Sequence, residues 1–399
     1  MSELPNGWRT VDLDAVAEVV MGQSPPGTSY NESGVGEPFF QGKAEFGPLH
    51  PTVKKWTTAG TKRAKRGDIL MSVRAPVGPT NVADIDCVIG RGLAAIRANS
   101  ELNQTYLLWI LRSLEHEISA KGTGTTFSAI SGNTLRNTLV AMPQIPEQQC
   151  IVEILEEQFS RLDAALASIR KVREKTVAFR LSLLEATFPP SHDGNAWQTM
   201  KLGDVAKWSS GGTPKSKTPE YYGGNIPWAV SGDLNNSLVF ETTATITEAG
   251  LAKSSAKVVP EGTVLIAMYG ATIGKTGIAS RPMATNQAIA TAIVNEKIVT
   301  NRFLQFFLMS QKRLFTLAGQ GMAQPNISQT ILKAWKIAVP STEVQEDVVN
   351  RLSEQLEFVQ RTLGMLRLLT LKLEAERRSL LHAAFEGTLT KQWRETHHA

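Results

Sequence analysis

Two long segments of the chain carry apolar residues at an average spacing of three and a half residues. In residues 147–187, positions 151, 155, 158, 162, 165, 169, 172, 176, 179, 183 and 186 read I, L, Q, L, A, I, V, T, F, L and A. The positions 197 residues later read V, L, Q, V, T, L, L, L, E, L and A. Steps that alternate between four and three are typical of a coiled coil. The pattern predicts two long helices that pair with each other, most simply as an antiparallel pair.

The ends of these two segments also favour helices. Residues 147–187 and 343–385 contain no proline, and Gly364 is their only glycine. Both follow proline-containing stretches, "PQIPEQQ" and "PSTEVQE", that are typical of helix starts. Gln158 and Gln355 share one seam position, which suggests a polar device that fixes the register of the pair. The alternative is that each helix packs on its own globular unit.

The rest of the chain mixes short β-rich runs with turns rich in glycine and proline. "DILMSV", "VLIAMY" and "AWKIAV" are typical of buried strands. Helical patterns cover "NQTYLLWILRSLEHEIS" (103–119) and "TNRFLQFFLMSQKRLFTLA" (300–318). These patterns predict an α+β protein.

Most of the chain is a tandem duplication. "WRTVDLDAVA" (8–17) matches "WQTMKLGDVA" (197–206), and we expect Trp8 and Trp197 to be core residues. At the same offset of 189, "GQSPPG" falls on "GGTPKS", and later the offset settles at 197, where "GTGTTFSAIS" (122–131) matches "GQGMAQPNIS" (319–328). The fold predicted is two mixed α/β globular domains, 1–146 and 189–342. They are separated by two long helices, within 147–188 and 343–399, that form an antiparallel coiled coil.

One glycine-rich stretch, "VLIAMYGATIGKTGIAS" (264–280), resembles a phosphate-binding loop. A true loop of this kind reads G-x-x-x-x-G-K-[ST] and opens a helix. Here three residues rather than four separate Gly270 from Gly274, and the first copy has "APVGPTNV" with proline in place of the lysine. We therefore expect a strand–turn–strand pair and no nucleotide site.

Composition adds a modest basic surplus. The 399 residues are 42% hydrophobic and 20% charged, with a net charge of +5. Residues 189–342 carry +6, whereas 1–146, 147–188 and 343–399 carry +1, −1 and −1. A second basic feature is the run "KKWTTAGTKRAKR" (54–66), with six cations and no anion. Such surpluses favour a polyanionic partner, although a solvated loop explains the run equally well.

Neither metal chemistry nor membrane association is expected from the sequence. Cys87 and Cys150 form no metal-like spacing, and the histidines are scattered apart from His397 and His398. The absence of a long apolar run and the low cysteine content favour a cytoplasmic protein. Two similar globular units held apart by helices would suit DNA read as two half-sites.

The chain resembles the specificity (S) subunits of type I restriction–modification systems over nearly its whole length. The resemblance is carried by the repeat, by "P-x-I-P-E-Q" (Pro143, Ile145, Pro146, Glu147, Gln148), and by "SLLEATF" (182–188) with "SLLHAAFEGTL" (379–389). "GRGLAAI" (90–96) with "TNQAIATAI" (285–293) and the "GTG…IS" and "GQG…IS" turns agree with it. The second helix start, "PSTEVQE", departs from the pattern because it lacks the Ile-Pro pair.

The resemblance implies a non-catalytic subunit that binds double-stranded DNA. Domains 1–146 and 189–342 would each read half of a split, asymmetric target, with the helices setting the gap as a ruler. The helices would also dock two methyltransferase subunits that methylate adenine N6. S-adenosylmethionine, and ATP where restriction subunits join, would be bound by those partners, and this chain would hold no cofactor.

The residues agree with an absence of catalysis in this chain. No [DN]-P-P-[FYW] tetrapeptide of amino-methyltransferases occurs, because "SPPG" (24–27) and "FPPS" (188–191) lack the leading Asn or Asp. One rival hypothesis is a coiled-coil scaffold or adaptor without sequence-specific DNA binding. A nucleotide-dependent enzyme is the other, and the altered phosphate loop argues against it.

Candidate DNA contacts are polar residues in loops, since Arg, Lys, Asn and Gln read bases and Lys, Arg, Ser and Thr hold phosphates. For each one, a solvated or turn residue is the alternative, and Asn286 with Gln287 could equally bond within the fold. In the first domain the candidates are Gln23, Ser24, Thr28, Tyr30, Lys43, Lys54, Lys55, Lys62, Arg63, Arg74 and Arg91. In the second they are Thr213, Lys215, Lys217, Tyr221, Tyr222, Ser231, Tyr269, Lys275, Asn286 and Gln287.

Overall fold

A computed structural model of the chain describes residues 4–122, 128–188, 197–319 and 326–397. The chain divides into two compact units. Unit 1 comprises residues 1–169 and 368–399, and unit 2 comprises residues 170–367. Each long helix therefore contributes one part to each unit.

Unit 1 contains eleven of the described strands. They are β1 (Arg9–Asp12), β2 (Ala17–Met21), β3 (Tyr30–Asn31), β4 (Glu37–Phe40), β5 (Lys55–Thr57), β6 (Arg63–Ala64), β7 (Ile69–Ser72), β8 (Thr80–Val82), β9 (Cys87–Ile89), β10 (Leu93–Ala98) and β11 (Leu139–Met142). One sheet has the order β2-β10-β7-β8, and a second has the order β3-β5-β4-β9-β6. A separate antiparallel pair, β1 with β11, sets Arg9 opposite Met142 just before the first long helix.

Unit 2 repeats this arrangement with its own eleven described strands. They are β12 (Gln198–Lys201), β13 (Ala206–Ser210), β14 (Tyr222–Ala229), β15 (Ser237–Val239), β16 (Ala244–Ile246), β17 (Val258–Val259), β18 (Val264–Ala267), β19 (Thr276–Ala279), β20 (Met283–Thr285), β21 (Ile289–Val294) and β22 (Lys336–Val339). The sheet orders are β13-β21-β18-β19-β15 and β16-β14-β20-β17, with β12 paired to β22. Strand β15 is an addition, since it lies parallel to β19 beyond the edge that β8 forms in unit 1.

The helices also occur in matching order. They are α1 (Leu13–Val16), α2 (Gln104–Ser113), α3 (Glu115–Ala120), α4 (Gly132–Arg136), α5 (Ile145–Thr187), α6 (Leu202–Val205), α7 (Glu248–Ala252), α8 (Asn301–Ser310), α9 (Lys312–Ala318), α10 (Gln329–Ala334), α11 (Thr342–Phe385) and α12 (Lys391–His397). Helices α1 to α5 correspond in order to α6 and α8 to α11. The α+β class, the duplication and the two long helices are confirmed.

The central strands are apolar throughout because both of their faces are covered. In β7, Ile69 and Met71 face a core that includes the helices, whereas Leu70 faces a core between the two sheets. Successive side chains of a strand point to opposite faces, so a strand buried on both sides reads as a continuous apolar run. Strand β18 has the same division.

The stretch that resembled a phosphate loop is a strand–turn–strand pair, as expected. Strand β18 pairs antiparallel with β19, and Val264 lies opposite Ile278. The turn between them holds Gly270 and Gly274, both with positive φ, at +59° and +74°. No α-helix follows the glycines, so no helix N-terminus is available for a phosphate there.

Each predicted helix of the globular parts is broken once. The pattern in residues 103–119 forms α2 and α3, and that in 300–318 forms α8 and α9. At the end of α2, Ser113 Oγ donates to the carbonyl of Ile110, and at the end of α8, Ser310 Oγ donates to that of Phe307. A serine that bonds a carbonyl of the preceding turn competes with the helix and bends it.

The long helices pair antiparallel within unit 1. Arg377 Nη1 lies 2.6 Å from Asp163 Oδ1, and the Arg377 guanidinium lies 4.5 Å from the centre of the Phe159 ring. At the start of α5, Glu147 instead bonds Thr390, beyond the end of α11. Because the partner number falls as the number in α5 rises, the segments run in opposite directions. In unit 2, Leu184 of α5 and Leu352 of α11 share one core.

The proposed polar register device is wrong. Gln355 is exposed, and Gln158 is only half-buried. The neighbouring Phe159 is buried instead, and Leu356 packs against the core of unit 2. A straight α-helix has 3.6 residues per turn, so a stripe counted at 3.5 drifts by about 20° per heptad. In α5 the buried stripe runs through Ile151, Leu155, Phe159 and Leu162, with steps of four, four and three, so the residue after Gln158 faces the core.

The two tryptophans that begin the repeat lie where the sequence predicted. Trp8 is buried in the core of unit 1 and Trp197 packs against the core of unit 2, so their expected place is confirmed. The "GTG" and "GQG" turns fall largely within residues 123–127 and 320–325, which lie outside the described residues. The domain boundaries at 146, 188 and 342 stay a prediction.

Candidate nucleic-acid interface

Several loops of unit 1 meet at residues 90–92, the turn between β9 and β10. Four backbone hydrogen bonds hold it, from the amides of Gly22, Gln23, Val73 and Gly90 to the carbonyls of Leu93, Ile89, Gly92 and Phe40, at 2.9, 3.0, 2.9 and 2.8 Å. We call residues 22–24, 40–43, 73–74 and 90–92 the turn platform of unit 1. Its segments are distant in sequence and are fixed to one another by main-chain atoms.

Unit 2 has the same turn platform, formed by residues 211–213, 229–231, 268–269 and 286–288. Its bonds run from the amides of Gly211, Gly212, Met268 and Asn286 to the carbonyls of Ile289, Thr285, Ala288 and Ala229, at 3.2, 2.9, 2.8 and 2.9 Å. Every donor and acceptor corresponds to its counterpart in unit 1. The duplication therefore preserves the backbone of the turn platform, although most of its side chains differ.

Close backbone approach explains the first glycine of "GQSPPG" and of "GGTPKS". A Cβ added at Gly22 would lie 2.2 Å from the carbonyl oxygen of Gly90, and one added at Gly211 would lie 2.1 Å from that of Thr285. Real Cβ atoms do not come that close, so a larger residue would push the loop away from the turn. The glycines that carried the repeat in the sequence thus hold the turn platform together.

Three pairs of predicted contact residues occupy equivalent points of the two turn platforms. Arg91 and Gln287 are the middle residues of the turns and are exposed. Arg74 and Tyr269 are exposed. They directly follow Val73 and Met268, the residues after β7 and β18 whose amides bond the turn. Lys43 and Ser231 each begin the 3₁₀ turn after β4 or β14. The structure therefore brings together residues that the sequence placed far apart.

The cations of the turn platform in unit 1 are free to meet an anion. Lys43, Arg74 and Arg91 are exposed, and none forms a salt bridge with a described residue. Lys62 lies beside the turn, because its carbonyl accepts a bond from the amide of Ile89 at 2.9 Å. It is also exposed and forms no salt bridge within the described chain. Four unpaired cations on one side of a unit create a positive local potential.

Arg63 differs from these cations because its charge is already paired. Its Nε and Nη2 lie 2.7 and 2.8 Å from the two oxygens of Glu37. The hydrogen bonds from Arg63 lower the pKa of the Glu37 carboxyl, and the same bonds raise the pKa of the guanidinium. Contact with a phosphate would require this pair to separate, so Arg63 is a weaker candidate than Lys62.

Two predicted tyrosines hold their own loops in place. Tyr30 Oη donates to the carbonyl of Pro25 at 2.8 Å, and Tyr222 Oη donates to the carbonyl of Pro214 at 2.7 Å. The acceptor prolines are counterparts in the duplication. Their hydroxyls are thus engaged within the fold, and the tyrosines act on the turn platform by fixing the loops beside it.

The other predicted residues are spread over the loops. Five predicted residues are exposed in the loops that begin with "GQSPPG" and "GGTPKS". They are Gln23, Thr28, Thr213, Lys215 and Lys217. Ser24 is half-buried and its Oγ accepts a bond from the amide of Arg91 at 3.3 Å. Half-buried residues elsewhere are Lys55 in β5, Tyr221, and Lys275 in the hairpin turn, whereas Lys54 is exposed.

Asn286 serves the turn itself. Its Oδ1 accepts a bond from the amide of Ala288 at 3.2 Å, which is the geometry of an Asx turn. Asn286 thus bonds within the fold, which is one of the two roles expected for it, and its contact with DNA stays a prediction. Gln287, its neighbour, is exposed and has no side-chain hydrogen bond to a described residue.

Sequence reasoning missed two features of this region. Gln41 is exposed and lines, with Lys43 and Ala75, a shallow open cavity of about 570 Å³. Its position two residues after Pro38-Phe39, a pair that recurs as Pro227-Trp228, was the available signal. The second feature is the glutamine that follows the start of each long helix.

Gln148 and Gln345 fasten the globular parts to the long helices. The Gln148 side chain accepts from the amide of Asn103 at 2.7 Å and donates to the carbonyls of Pro143 and Glu101 at 2.9 and 3.2 Å. Gln345 repeats all three bonds, with Thr300, Pro340 and Ile298 at 2.9, 2.9 and 2.8 Å. Both side chains are fully buried. The "P-E-Q" of the first helix start therefore has a structural role.

The described ranges offer no metal centre and no reactive thiol at Cys87. There, no group of three or more His, Cys, Asp or Glu side chains is placed to hold a metal ion. Among the described helices, none is both long and apolar enough to cross a membrane. Cys87 is buried, and its burial raises the pKa of the thiol to about 12, so it is unreactive at neutral pH.

Several curated proteins are similar to parts of this chain. A Methanocaldococcus jannaschii protein provisionally named the MjaX type I restriction enzyme specificity subunit is 37% identical over 178 residues, 44% of this chain and 41% of that protein. The MjaIX specificity subunit of the same organism is 31% identical over 39% of this chain and 37% of its own length. These two matches therefore span about two fifths of each relative. The EcoBI specificity subunit of Escherichia coli is 21% identical over 98% of this chain and 88% of that protein.

Solved structures share the fold over nearly the whole chain. A chain from a structure of type I R-M system assembly superposes with a TM-score of 0.82 at 22% identity, covering 96% of this chain and 99% of the other. The HsdS subunit from Thermoanaerobacter tengcongensis gives a TM-score of 0.59 at 22% identity, covering 96% and 98%. The profile of the type I restriction modification DNA specificity domain matches residues 5–171 and 195–360. With two such domains over most of its length, this chain belongs to the type I restriction modification DNA specificity family.

Proposed function

We propose that the chain is the sequence-reading subunit of a type I restriction–modification complex. Residues 1–146 and 189–342 are two target recognition domains, each of which reads one half of a split, asymmetric site on double-stranded DNA. Residues 147–188 and 343–399 are the helical spacer regions that set the gap. The chain itself carries no catalytic group.

One observation carries this proposal: the two turn platforms have matching backbones and unmatched exposed side chains. A structural scaffold has no need to vary the exposed tips while preserving the bonds beneath them. A protein that reads two different half-sites needs different exposed side chains in its two units and the same rigid backbone beneath them. The reason is that base edges are read by side chains held in a fixed position. The unpaired cations of unit 1 and the +6 charge of residues 189–342 suit the phosphate backbone.

The long helices also provide surface for protein partners. Within unit 2, Phe358 and Met365 of α11 are 69% and 63% exposed, and Val172 and Phe179 of α5 are 45% and 53% exposed. Large apolar side chains that stay in water on a helix surface favour burial against another protein. We assign this surface to the methyltransferase subunits.

The partners supply the chemistry. Methylation of an adenine inside a duplex requires the base to be turned out into a pocket. The proposed partners are two methyltransferase subunits, which bind S-adenosylmethionine and methylate adenine N6. Restriction subunits, in systems that have them, bind ATP and cut the DNA.

A genome-wide map of N6-methyladenine tests the proposal. Bacteria would express the cognate methyltransferase subunit either with or without this chain, and the two maps would be compared. We expect methylation that depends on the chain, at one motif with two different halves separated by a fixed gap. A stable complex of both proteins that methylates no new motif would contradict the proposal and favour a scaffold.

A further inference from the structure

We infer that Arg91 and Gln287 are equivalent base-reading residues, Arg91 for a guanine in one half-site and Gln287 for an adenine in the other. The inference rests on the proposed function, because it assigns a role within DNA recognition. It adds which side chains read bases and which base each one selects.

The first step is that both residues have the same position in their own unit. Each is the middle residue of a three-residue turn between a strand of the second sheet and a strand of the first, β9 to β10 and β20 to β21. The amide before each residue and the carbonyl after it are bonded to the same neighbouring segments, as described for the turn platform. The backbones at Arg91 and Gln287 are therefore fixed by equivalent main-chain contacts.

The second step is that both side chains are available. Arg91 and Gln287 are exposed, and within the described residues neither side chain makes a hydrogen bond or a salt bridge. Bonds on either side fix the backbone: the amide of Arg91 donates to Ser24 Oγ, and Asn286 closes the turn before Gln287. Little main-chain freedom is lost when such a tip binds, which favours affinity and selectivity.

The third step is the chemistry of the two side chains. A guanidinium can donate two hydrogen bonds to O6 and N7 of guanine in the major groove. A primary amide can bond N6 and N7 of adenine in the same two-point manner. Each such pair typically discriminates against the wrong base by roughly 10- to 100-fold.

The other equivalent pairs fit this role less well. Lys43 has a compact ammonium and its counterpart Ser231 a single hydroxyl, groups that suit phosphates. Arg74 could form two bonds with guanine, but its counterpart Tyr269 has one hydroxyl. Only the pair at 91 and 287 presents a two-point group in both units.

Exchanging the two residue types tests the inference. The methyltransferase complex would be formed with the wild-type chain, with Arg91→Gln and with Gln287→Arg, and N6-methyladenine would be mapped in each case. The matched controls are Arg9→Gln and Gln198→Arg, which make the same two exchanges at equivalent exposed positions of β1 in unit 1 and β12 in unit 2. Copurification with the methyltransferase subunit and the melting temperature would verify folding.

We expect Arg91→Gln to change one base of one half-site. The preference for guanine at that position, roughly 10- to 100-fold in the wild type, should be lost. Gln287→Arg should change one base of the other half-site in the same way. The gap should stay as in the wild type, and both control variants should keep the wild-type motif.

Three results would overturn the inference. One is an unchanged motif with uniformly weaker methylation in Arg91→Gln, which would make Arg91 a phosphate contact. Another is a change in both half-sites from a single substitution. The third comes from Arg91→Ala, which removes every hydrogen-bond donor of the side chain: full retention of the wild-type motif there would exclude base reading by Arg91.

Failure of the proposed function would be recognised separately. The wild-type chain alone decides that question, because without a split motif in the wild-type map there is no half-site to change. If the wild-type map shows the motif and the variants leave it intact, only the assignment of Arg91 and Gln287 is wrong.

Discussion

The side chains of Gln148 and Gln345 make the same three hydrogen bonds in unit 1 and unit 2. Each side chain is buried and bonds one backbone amide and two backbone carbonyls. These three groups are therefore satisfied without water. Buried backbone groups that lose their partners cost free energy, so this position tolerates little change. Glutamine has the length and the paired donor and acceptor that the site needs.

We predict that Gln148→Ala destabilises unit 1 strongly. The substitution leaves the amide of Asn103 and the carbonyls of Glu101 and Pro143 without their partner. The expected loss is about 2–4 kcal/mol in the free energy of unfolding, since each buried unsatisfied group costs ~1–3 kcal/mol. Differential scanning calorimetry would show the transition of unit 1 at a lower temperature.

Gln144→Ala is the matched control for this prediction. Gln144 is exposed and lies just before the same helix. Its substitution should change the free energy of unfolding by less than about 0.5 kcal/mol, as is usual at the surface. Equal melting temperatures for the two variants would mean that the buried hydrogen bonds of Gln148 contribute little.

At the residue scale the sequence predicted candidates better than roles. Arg74, Arg91, Tyr269 and Gln287 were singled out by type and by position in loops, and they do lie on the turn platforms. The engaged hydroxyl of Tyr30 could not be foreseen, because its acceptor depends on how two loops fold back. Exposure and pairing depend on contacts between distant segments, which a single sequence does not display.

The long helices are the elements that the sequence predicted best. Their predicted starts at 147 and 343 lie within two residues of the observed starts, Ile145 and Thr342. Long periodic segments without proline leave few alternatives. The buried stripe was displaced by one residue at Gln158 and Gln355, because two successive steps of four bring Phe159 and Leu356 to the core where the alternating pattern assumed a step of three.

We predict that lengthening both helices by one heptad widens the gap of the DNA target. Seven residues would be inserted after Ile169 in α5 and between Arg367 and Leu368 in α11. Each helix gains about 10 Å, since the rise is ~1.5 Å per residue. At ~3.4 Å per base pair, we expect up to about three more base pairs between unchanged half-sites. Mapping of N6-methyladenine would measure the gap.

A three-residue insertion at the same two points is the control. It rotates the helix faces beyond the insertion by about 300°, so the apolar stripes no longer meet. This variant should lose helix pairing, which would appear as a lower melting temperature. Recovery of the original gap with the heptad insertion would show that the helices do not act as a ruler.

At the scale of the whole molecule, each unit has its own hydrophobic cores. Those of unit 1 and those of unit 2 draw on separate sets of residues. The duplication was visible in the sequence, and so was the α+β class. The extra edge strand β15 was not, because Ser237–Val239 is too short to give a periodic signal.

We predict that the two proposed recognition domains can be exchanged independently. Replacing residues 1–146 with the corresponding segment of another family member should change one half-site and leave the other half-site and the gap intact. The separate cores are the physical reason, since residues 1–146 pack on the neighbouring ends of the long helices, with Ile151 and Leu155 in the shared core, and that core contains no residue of unit 2. Methylation mapping of the chimera would identify the altered half.

The reciprocal exchange of residues 189–342 serves as the control for the chimera. It should alter only the half-site that the first chimera retains. A change of both half-sites in either chimera, or of neither in both, would show that the target is not read by independent domains.

The main-chain bonds of the turn platform have a consequence for how such a protein diversifies. Because main-chain bonds of residues 22–23, 73 and 90–92 hold the turn platform, the identity of the exposed side chains at positions 74 and 91 contributes little to folding. Substitutions at positions 74 and 91 can therefore accumulate without a loss of stability that selection would remove. A lineage with this framework can try new targets one substitution at a time, and a library randomised at these positions should retain mostly folded members.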